Sequence, residues 1–174
     1  MELFDLYDAH RMPTGKTMVR GTATPKGMYR LVVHICIFNS EGKLLIQQRQ
    51  GFKKTWKNMW DISVGGAVIS GENSQTAAHR ELLEELGLNA DFENLLPTFT
   101  TTFKGGIDDV YILHWDVNLS DVKLQPEEVQ SVKWADCGEI LSMIDEERFI
   151  PYGKEFIEYL FFRSTHSGNF QIDK

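Results

Sequence analysis

Apolar and polar positions along this chain alternate between short strand-like runs and a few helical stretches. Leu31–Phe38 is a continuous apolar, β-branched run. It stops at Asn39-Ser40-Glu41-Gly42 and resumes at Leu44-Leu45-Ile46, which predicts a hairpin of two central strands. Residues 2–7 and 16–20 read as two shorter strands around the turn-rich Asp8–Gly15, where Pro13 and Gly15 interrupt any regular run. Further strands are expected over Thr98–Phe103, Asp109–Val117 and Val129–Trp134, and helices over Ile140–Ile144 and Lys154–Phe162. Between them Ser74–Leu86 has helical periodicity, with Gly87 placed to end the helix in a left-handed turn. Just before it, Val64-Gly65-Gly66-Ala67-Val68 pairs two glycines, a sign of backbone that a side chain would obstruct. Strands bracketing one central helix, with a helix pair at the end, predict a mixed sheet between helical layers, an α+β fold. Residues 1–29 are read as an N-terminal strand or hairpin extension, 30–163 as the main domain and 164–174 as a C-terminal tail.

Composition narrows the class of function. With 174 residues the chain fits one domain, or one domain with small additions. Its 42% hydrophobic and 25% charged residues are those of a globular protein rather than a disordered one. No apolar stretch approaches the ~20 residues a membrane helix requires, and the N-terminus lacks a secretory pattern, so a cytoplasmic location and no membrane partner are expected. The formal net charge of -7 argues against nucleic acid as a partner, because such binding neutralises phosphates with Lys and Arg. Cys36 and Cys137 lack the paired spacing of a zinc site or disulfide framework and are expected to be reduced.

The candidate chemistry lies in Gly66–Leu88. On a helix turning ~100° per residue, Glu81, Glu84 and Glu85 fall within an arc of about 100°, with Leu82, Leu83 and Leu86 on the other side. Carboxylates three and four residues apart repel by roughly 0.2 to 0.5 kcal/mol per pair, unless a cation sits among them. Oxygen-only ligation suits Mg²⁺ or Mn²⁺, and Mg²⁺ usually shares its shell with substrate phosphates. A bare acidic triplet is more often a solvated helix face. Here it stands in a longer pattern: Gly66, five residues, Glu72, seven residues, then Arg80-Glu81-Leu82-Leu83-Glu84-Glu85-Leu86-Gly87-Leu88. This stretch resembles the Nudix box and matches every specified position of that signature.

The resemblance implies the Nudix fold, an α/β/α sandwich with a mixed sheet, and a Mg²⁺- or Mn²⁺-dependent pyrophosphohydrolase. It would cleave a nucleoside diphosphate linked to another moiety, by attack of water on phosphorus. Glu81, Glu84 and Glu85 would bind the catalytic ions, one of them serving as or helping the base. The backbone carbonyl of Gly65 would complete a metal shell, and Glu72 with Arg80 would lock the loop onto the helix. Gly66 and Gly87 are structural members of the motif. A further acid outside it is expected to deprotonate the water. The first candidates are Glu127 and Glu128, in the Gln125-Pro126-Glu127-Glu128 stretch, although a solvated loop acid is the commoner reading of either.

A second stretch, Gln47–Trp60, gathers four cations and two tryptophans. Arg49 and Lys53 are candidate diphosphate ligands, because Arg offers a fork and Lys a point charge to phosphate oxygens. Trp56 and Trp60 could stack on a base, but core packing is the more ordinary role. The stretch also looks like isopentenyl-diphosphate isomerase, a Nudix relative that protonates carbon with a cysteine. Aligned with its pattern, Gly65 stands where that cysteine belongs, and Ala67 and Arg30 stand where its metal-binding histidines belong. A hydrolase is therefore favoured over an isomerase, with a catalytically silent nucleotide-binding module as a further alternative. His34 in a central strand reads as a satisfied interior residue, and His79, beside the leucines, as structural. A diphosphate-containing small molecule is the expected partner, and the N-terminal extension could pair two subunits into a homodimer.

Overall fold

The computed structural model describes residues 2–166. Its elements in chain order are β1 (Leu3–Tyr7), β2 (Pro13–Val19), β3 (Arg30–Phe38), β4 (Leu44–Arg49), β5 (Trp60–Asp61), β6 (Val64–Ala67), α1 (Ser74–Leu86), β7 (Phe99–Phe103), β8 (Gly106–His114), β9 (Val129–Ala135), α2 (Cys137–Asp145) and α3 (Lys154–Thr165). A 3₁₀ turn, Leu119–Asp121, precedes β9. The main sheet is hydrogen-bonded in the order β5-β4-β3-β8-β7, with β6 also on β3 and β9 also on β4. Two compact units interleave in sequence. One comprises the chain up to Ile35 with Val64–Tyr111, the other Cys36–Ser63 with the chain from Ile112 onward.

In the first unit β1 and β2 form an antiparallel pair, with Leu3 opposite Val19 and Tyr7 opposite Pro13. The second strand starts at Pro13, earlier than the expected residue 16, since a proline with no N–H to donate is tolerated at the first position of an edge strand. Phe4, Leu6 and Met18 are buried there, and Met28, Ala67 and Ile69 pack against them. Asp5 reaches from β1 to the loop before α1, accepting from Ser70 Oγ at 2.7 Å and Gly71 N at 2.9 Å. β6 runs antiparallel to β3, with His34 opposite Gly65 and Val33 opposite Gly66. β7 and β8 form a hairpin closed by Lys104-Gly105, with Phe103 opposite Gly106. β8 therefore begins at Gly106 rather than the expected Asp109, because the left-handed Gly105 (φ 77) makes a two-residue turn.

In the second unit the expected β3–β4 hairpin is present, with Phe38 opposite Leu44. β4 lies between β9, with Leu44 opposite Ala135, and β5, with Gln48 opposite Trp60. Leu44, Leu45 and Ile46 are fully buried, as are Ile140, Met143, Ile157 and Leu160 of the two C-terminal helices. The Phe38 and Phe161 rings meet edge-on at 5.0 Å. α2 starts at Cys137, ahead of the expected Ile140, because Asp136 caps it by accepting from Glu139 N at 2.8 Å. α3 continues to Thr165, so Ser164 and Thr165 are helical, and residues 167–174 of the expected tail lie outside the described residues. Among the described residues Cys36 and Cys137 form no disulfide. Among the described residues no helix is long and apolar enough to cross a membrane.

Candidate active site

The acidic residues are positioned by α1, whose ends are set by its sequence. Asn73 and Thr76 form a reciprocal cap: the Asn73 side chain accepts from Thr76 N at 2.8 Å, and Asn73 N donates to Thr76 Oγ1 at 3.0 Å. Gly87, at φ 66, closes the other end and donates its N–H to Leu83 O. The division into an acid face and a leucine face needs correction. The buried arc holds Ser74, Ala77, Ala78, Leu82, Glu85 and Leu86. At ~100° per residue Glu85 falls within that arc and Leu83 falls outside it. Glu85 is accordingly 6% exposed and Leu83 46%.

Arg80 organises the remaining acids. Its Nε and Nη2 donate to the two Glu72 oxygens at 2.7 and 2.9 Å, a fork-to-fork pair joining the preceding loop to the helix. Nη2 also donates to Ala67 O at 3.1 Å, and Glu72 Oε2 accepts from Ile69 N at 3.2 Å. Nη1 donates to Glu81 at 2.8 Å and to Glu84 at 3.2 Å, so two of the three expected ion ligands share one cationic nitrogen. Burial lifts the Glu81 carboxyl above the ordinary glutamate range, and the bond from Arg80 opposes that lift. The Arg80 guanidinium is held even more firmly protonated than usual, chiefly by its bonds to Glu72.

The paired glycines make this packing possible. A Cβ at Gly66 would lie 2.0 Å from Glu81 Cδ, and one at Gly65 would lie 2.5 Å from His34 Cδ2 and 2.7 Å from His34 Nε2. Side chains are thus obstructed at both positions, as the glycine pair suggested. His34 is held in turn by Asp108 of β8, with Nδ1 at 2.8 and 2.9 Å from its two carboxylate oxygens. Sequence reasoning missed Asp108. The available signal was an acid just before an expected strand, matching the single histidine in the apolar run of β3.

This set of carboxylates with a neighbouring backbone carbonyl is hard and all-oxygen, the chemistry that suits Mg²⁺ or Mn²⁺. Among the described residues no three His, Cys, Asp or Glu side chains already converge as an ion cage. Glu81 and Glu84 nevertheless turn toward one common positive group, the geometry a divalent ion would also draw on.

The other candidates lie in the second unit. Lys53 Nζ is ion-paired with Glu128, so the expected phosphate ligand and the expected base neutralise each other. Arg49 Nη1 is 3.7 Å from Asp61 Oδ2, Asp61 Oδ1 accepts from Tyr152 OH at 2.8 Å, and Arg49 Nε is buried without a hydrogen-bond partner among the described residues. Glu127 is exposed. Trp60 is partly buried beneath Lys133, whose Nζ is 4.8 Å from its ring. Trp56 is not a core residue: it is 46% exposed and has a left-handed backbone at φ 53. His79 Nε2 lies 2.9 Å from Asn89 Oδ1 on the exposed side of α1, apart from the acids' bonding network.

Comparison with known proteins extends the likeness beyond the motif. The NUDIX domain family matches residues 28–160. An uncharacterized Nudix hydrolase of Listeria monocytogenes is 43% identical over 152 residues, covering 87% of this chain and 90% of its own. The isopentenyl-diphosphate Δ-isomerase of Pectobacterium atrosepticum is 32% identical over 155 residues, covering 84% of each chain. Among solved structures, DR0079 of Deinococcus radiodurans superposes with a TM-score of 0.76 at 25% identity, over 91% of this chain and 99% of that one.

Proposed function

Because this chain belongs to the Nudix family of hydrolases, which act on phosphoric anhydrides, we propose that it is a Mg²⁺- or Mn²⁺-dependent pyrophosphohydrolase of a nucleoside diphosphate linked to another moiety. The observation that carries this reading is the bonded set Glu72–Arg80–Glu81–Glu84 on and before α1, with Glu81 seated against Gly66 of β6. Glu81, Glu84, Glu85 and the Gly65 carbonyl are the proposed ion ligands. When bound there, a divalent ion would supply charge to offset the diphosphate and would lower the pKa of a water so that its hydroxide could serve as nucleophile near neutral pH. Glu72 and Arg80 hold the loop to α1, so that the carboxylates keep their places as charge develops. Arg49 and Lys53 are the proposed diphosphate ligands, and Glu128 the proposed base. Engaging Lys53 with phosphate releases Glu128 from its ion pair and frees its oxygens to accept a proton.

The isomerase reading is disfavoured by space. A cysteine in place of Gly65 would drive its Cβ into His34 at 2.5 Å, so the position that would have to carry the carbon acid has no room for it.

The test is a panel of nucleotide sugars, ADP-ribose, dinucleotides, nucleoside triphosphates and prenyl diphosphates, each incubated with Mg²⁺ or Mn²⁺ and scored for released products. Turnover of at least one nucleoside diphosphate derivative is expected, with ¹⁸O from labelled water in a phosphate product. Glu84→Gln and Glu85→Gln should abolish turnover with the fold retained. Binding without turnover would instead indicate a silent nucleotide-binding module. Conversion of isopentenyl diphosphate to its allylic isomer would establish the isomerase.

A further inference from the structure

We propose that His34, fixed by Asp108, is a positioning residue for the carboxylate site: its imidazole takes the side-chain space of residue 65 and so sets the Gly65–Gly66 peptide against which Glu81 rests. The inference builds on the reading of Glu81, Glu84 and Glu85 as ion ligands. It begins with strand geometry. Successive residues of a strand face opposite sides, so the bare α-carbons of Gly65 and Gly66 open in opposite directions. His34, directly across the antiparallel pair from Gly65, fills one opening with the Cδ2–Nε2 edge of its ring. The Glu81 carboxyl fills the other. One peptide unit is therefore clamped between an imidazole on one face and a carboxyl on the other.

Ring orientation is not left to packing alone. Both Asp108 oxygens lie within hydrogen-bond distance of Nδ1, so the ring is held at a fixed tilt, and the tautomer with a proton on Nδ1 is the one that suits a carboxylate acceptor. The side chains of His34 and Asp108 are 19% and 9% exposed, so little water competes for that bond. A histidine serving only to fill the interior would have no reason to press on a glycine whose neighbour supports the motif acid. The contacts run Asp108 to His34, His34 to Gly65, Gly66 to Glu81, and Glu81 to Arg80 and thence Glu72. A change of ring at position 34 thus reaches the Glu81 carboxyl through a single peptide. It also turns the Gly65 carbonyl, the proposed backbone ligand.

The decisive experiment titrates purified protein with Mn²⁺ alone, counting free ion by electron paramagnetic resonance, and records thermal melting alongside. It uses His34→Ala, His34→Asn, Gly65→Ala, the double variant His34→Ala/Gly65→Ala, and Glu84→Gln. Outer-shell partners of metal ligands typically change affinity about 10- to 100-fold, and His34→Ala should weaken Mn²⁺ by about tenfold at a temperature where it is fully folded. His34→Asn should recover most of the loss, because its amide can donate to Asp108 in place of Nδ1. Gly65→Ala should also weaken binding, and the double variant should bind better than Gly65→Ala alone, since the new methyl fills the space the ring vacated. Wild-type affinity in His34→Ala, or no rescue by Asn, with Glu84→Gln still defective, would overturn this inference alone. Absence of Mn²⁺ binding by the unaltered protein, or full binding by Glu84→Gln, would overturn the carboxylate reading and this inference with it.

Discussion

Replacing Arg80 by alanine should destabilise the protein by about 2 to 4 kcal/mol, a range that follows from what the guanidinium leaves behind. Arg80 donates to Glu72 at 2.7 and 2.9 Å, to Glu81 at 2.8 Å and to Ala67 O at 3.1 Å. Without it, two carboxylates with side chains only 17% and 14% exposed lose their shared cation. Breaking a fully buried ion pair by removing one partner costs about 3 to 5 kcal/mol, and the water that still reaches these groups lowers that figure. The bond to Glu84, which is 49% exposed, adds little. For a chain of this length each kcal/mol lowers the melting temperature by about 2 to 4 °C, so a fall on the order of 4 to 16 °C is expected. Urea unfolding followed by tryptophan fluorescence, in buffer free of divalent ions, measures the difference as a shift of midpoint at constant slope. Arg80→Lys keeps the charge but not the fork, and should recover only part of the loss. Glu72→Ala and Arg80→Ala should be strongly non-additive, with a coupling above about 1.5 kcal/mol. An alanine variant within about 0.5 kcal/mol of the parent, or a lysine variant equal to it, would show that the cluster is a loose surface pairing.

Three further outcomes are expected. Gly66→Ala places a methyl 2.0 Å from Glu81 Cδ, so the carboxyl must move and stability should fall by about 1 to 3 kcal/mol; a variant of unchanged midpoint would mean that Glu81 has another place to go at no cost. Ser63, fully buried, donates to Leu45 O at 2.6 Å and accepts from Ile37 N at 2.9 Å, so Ser63→Ala orphans a buried N–H and should cost about 1 to 3 kcal/mol in the same urea assay, whereas a neutral result would contradict that accounting. The raised Glu81 pKa means that the folded protein holds this proton more tightly than the unfolded chain, whose reference value is 4.5. Its stabilising contribution is complete below that value and is lost as pH rises through the folded pKa. In chelator-treated protein, melting of Glu81→Gln should therefore improve relative to the parent as pH climbs from about 4 to 7, and a pH-independent difference would refute the sign.

The middle of the chain was legible because single residues decide its local structure. The run from Leu31 to Phe38 and its restart at Leu44 produced the hairpin, and Asn73 and Gly87 bound the helix at the expected Ser74 and Leu86. The Glu72–Arg80 partnership was also anticipated. What escaped were features that depend on which distant segment a residue meets. Periodicity placed three glutamates on one side of α1, but whether that side is wet depends on what packs against it, and Glu85 proved to be among the buried residues. His34 was read as an interior residue because spacing within β3 contains no information about Asp108, 74 positions away, or about a glycine on a neighbouring strand. Lys53 and Glu128 were assigned separate roles because nothing local reveals that residues 75 apart form a pair. Strand and helix ends missed by a few residues at Pro13, Gly106 and Cys137, where a proline, a glycine turn and an aspartate cap override the apolar pattern.

The interleaving of the two units constrains how the chain can be made. The segment ending at Ile35 belongs with Val64–Tyr111, and the intervening stretch belongs with residues that begin at Ile112. During synthesis, neither unit can close on its first segment alone. The chain must leave the ribosome as far as Tyr111 before the earlier unit has all its parts, while the apolar run Cys36–Phe38 and the strand after it still wait for theirs. Such long-range closure is slow, and a nascent chain paused between residues 64 and 111 would leave Cys36–Phe38 and Leu44–Ile46 without the part of their unit that begins at Ile112.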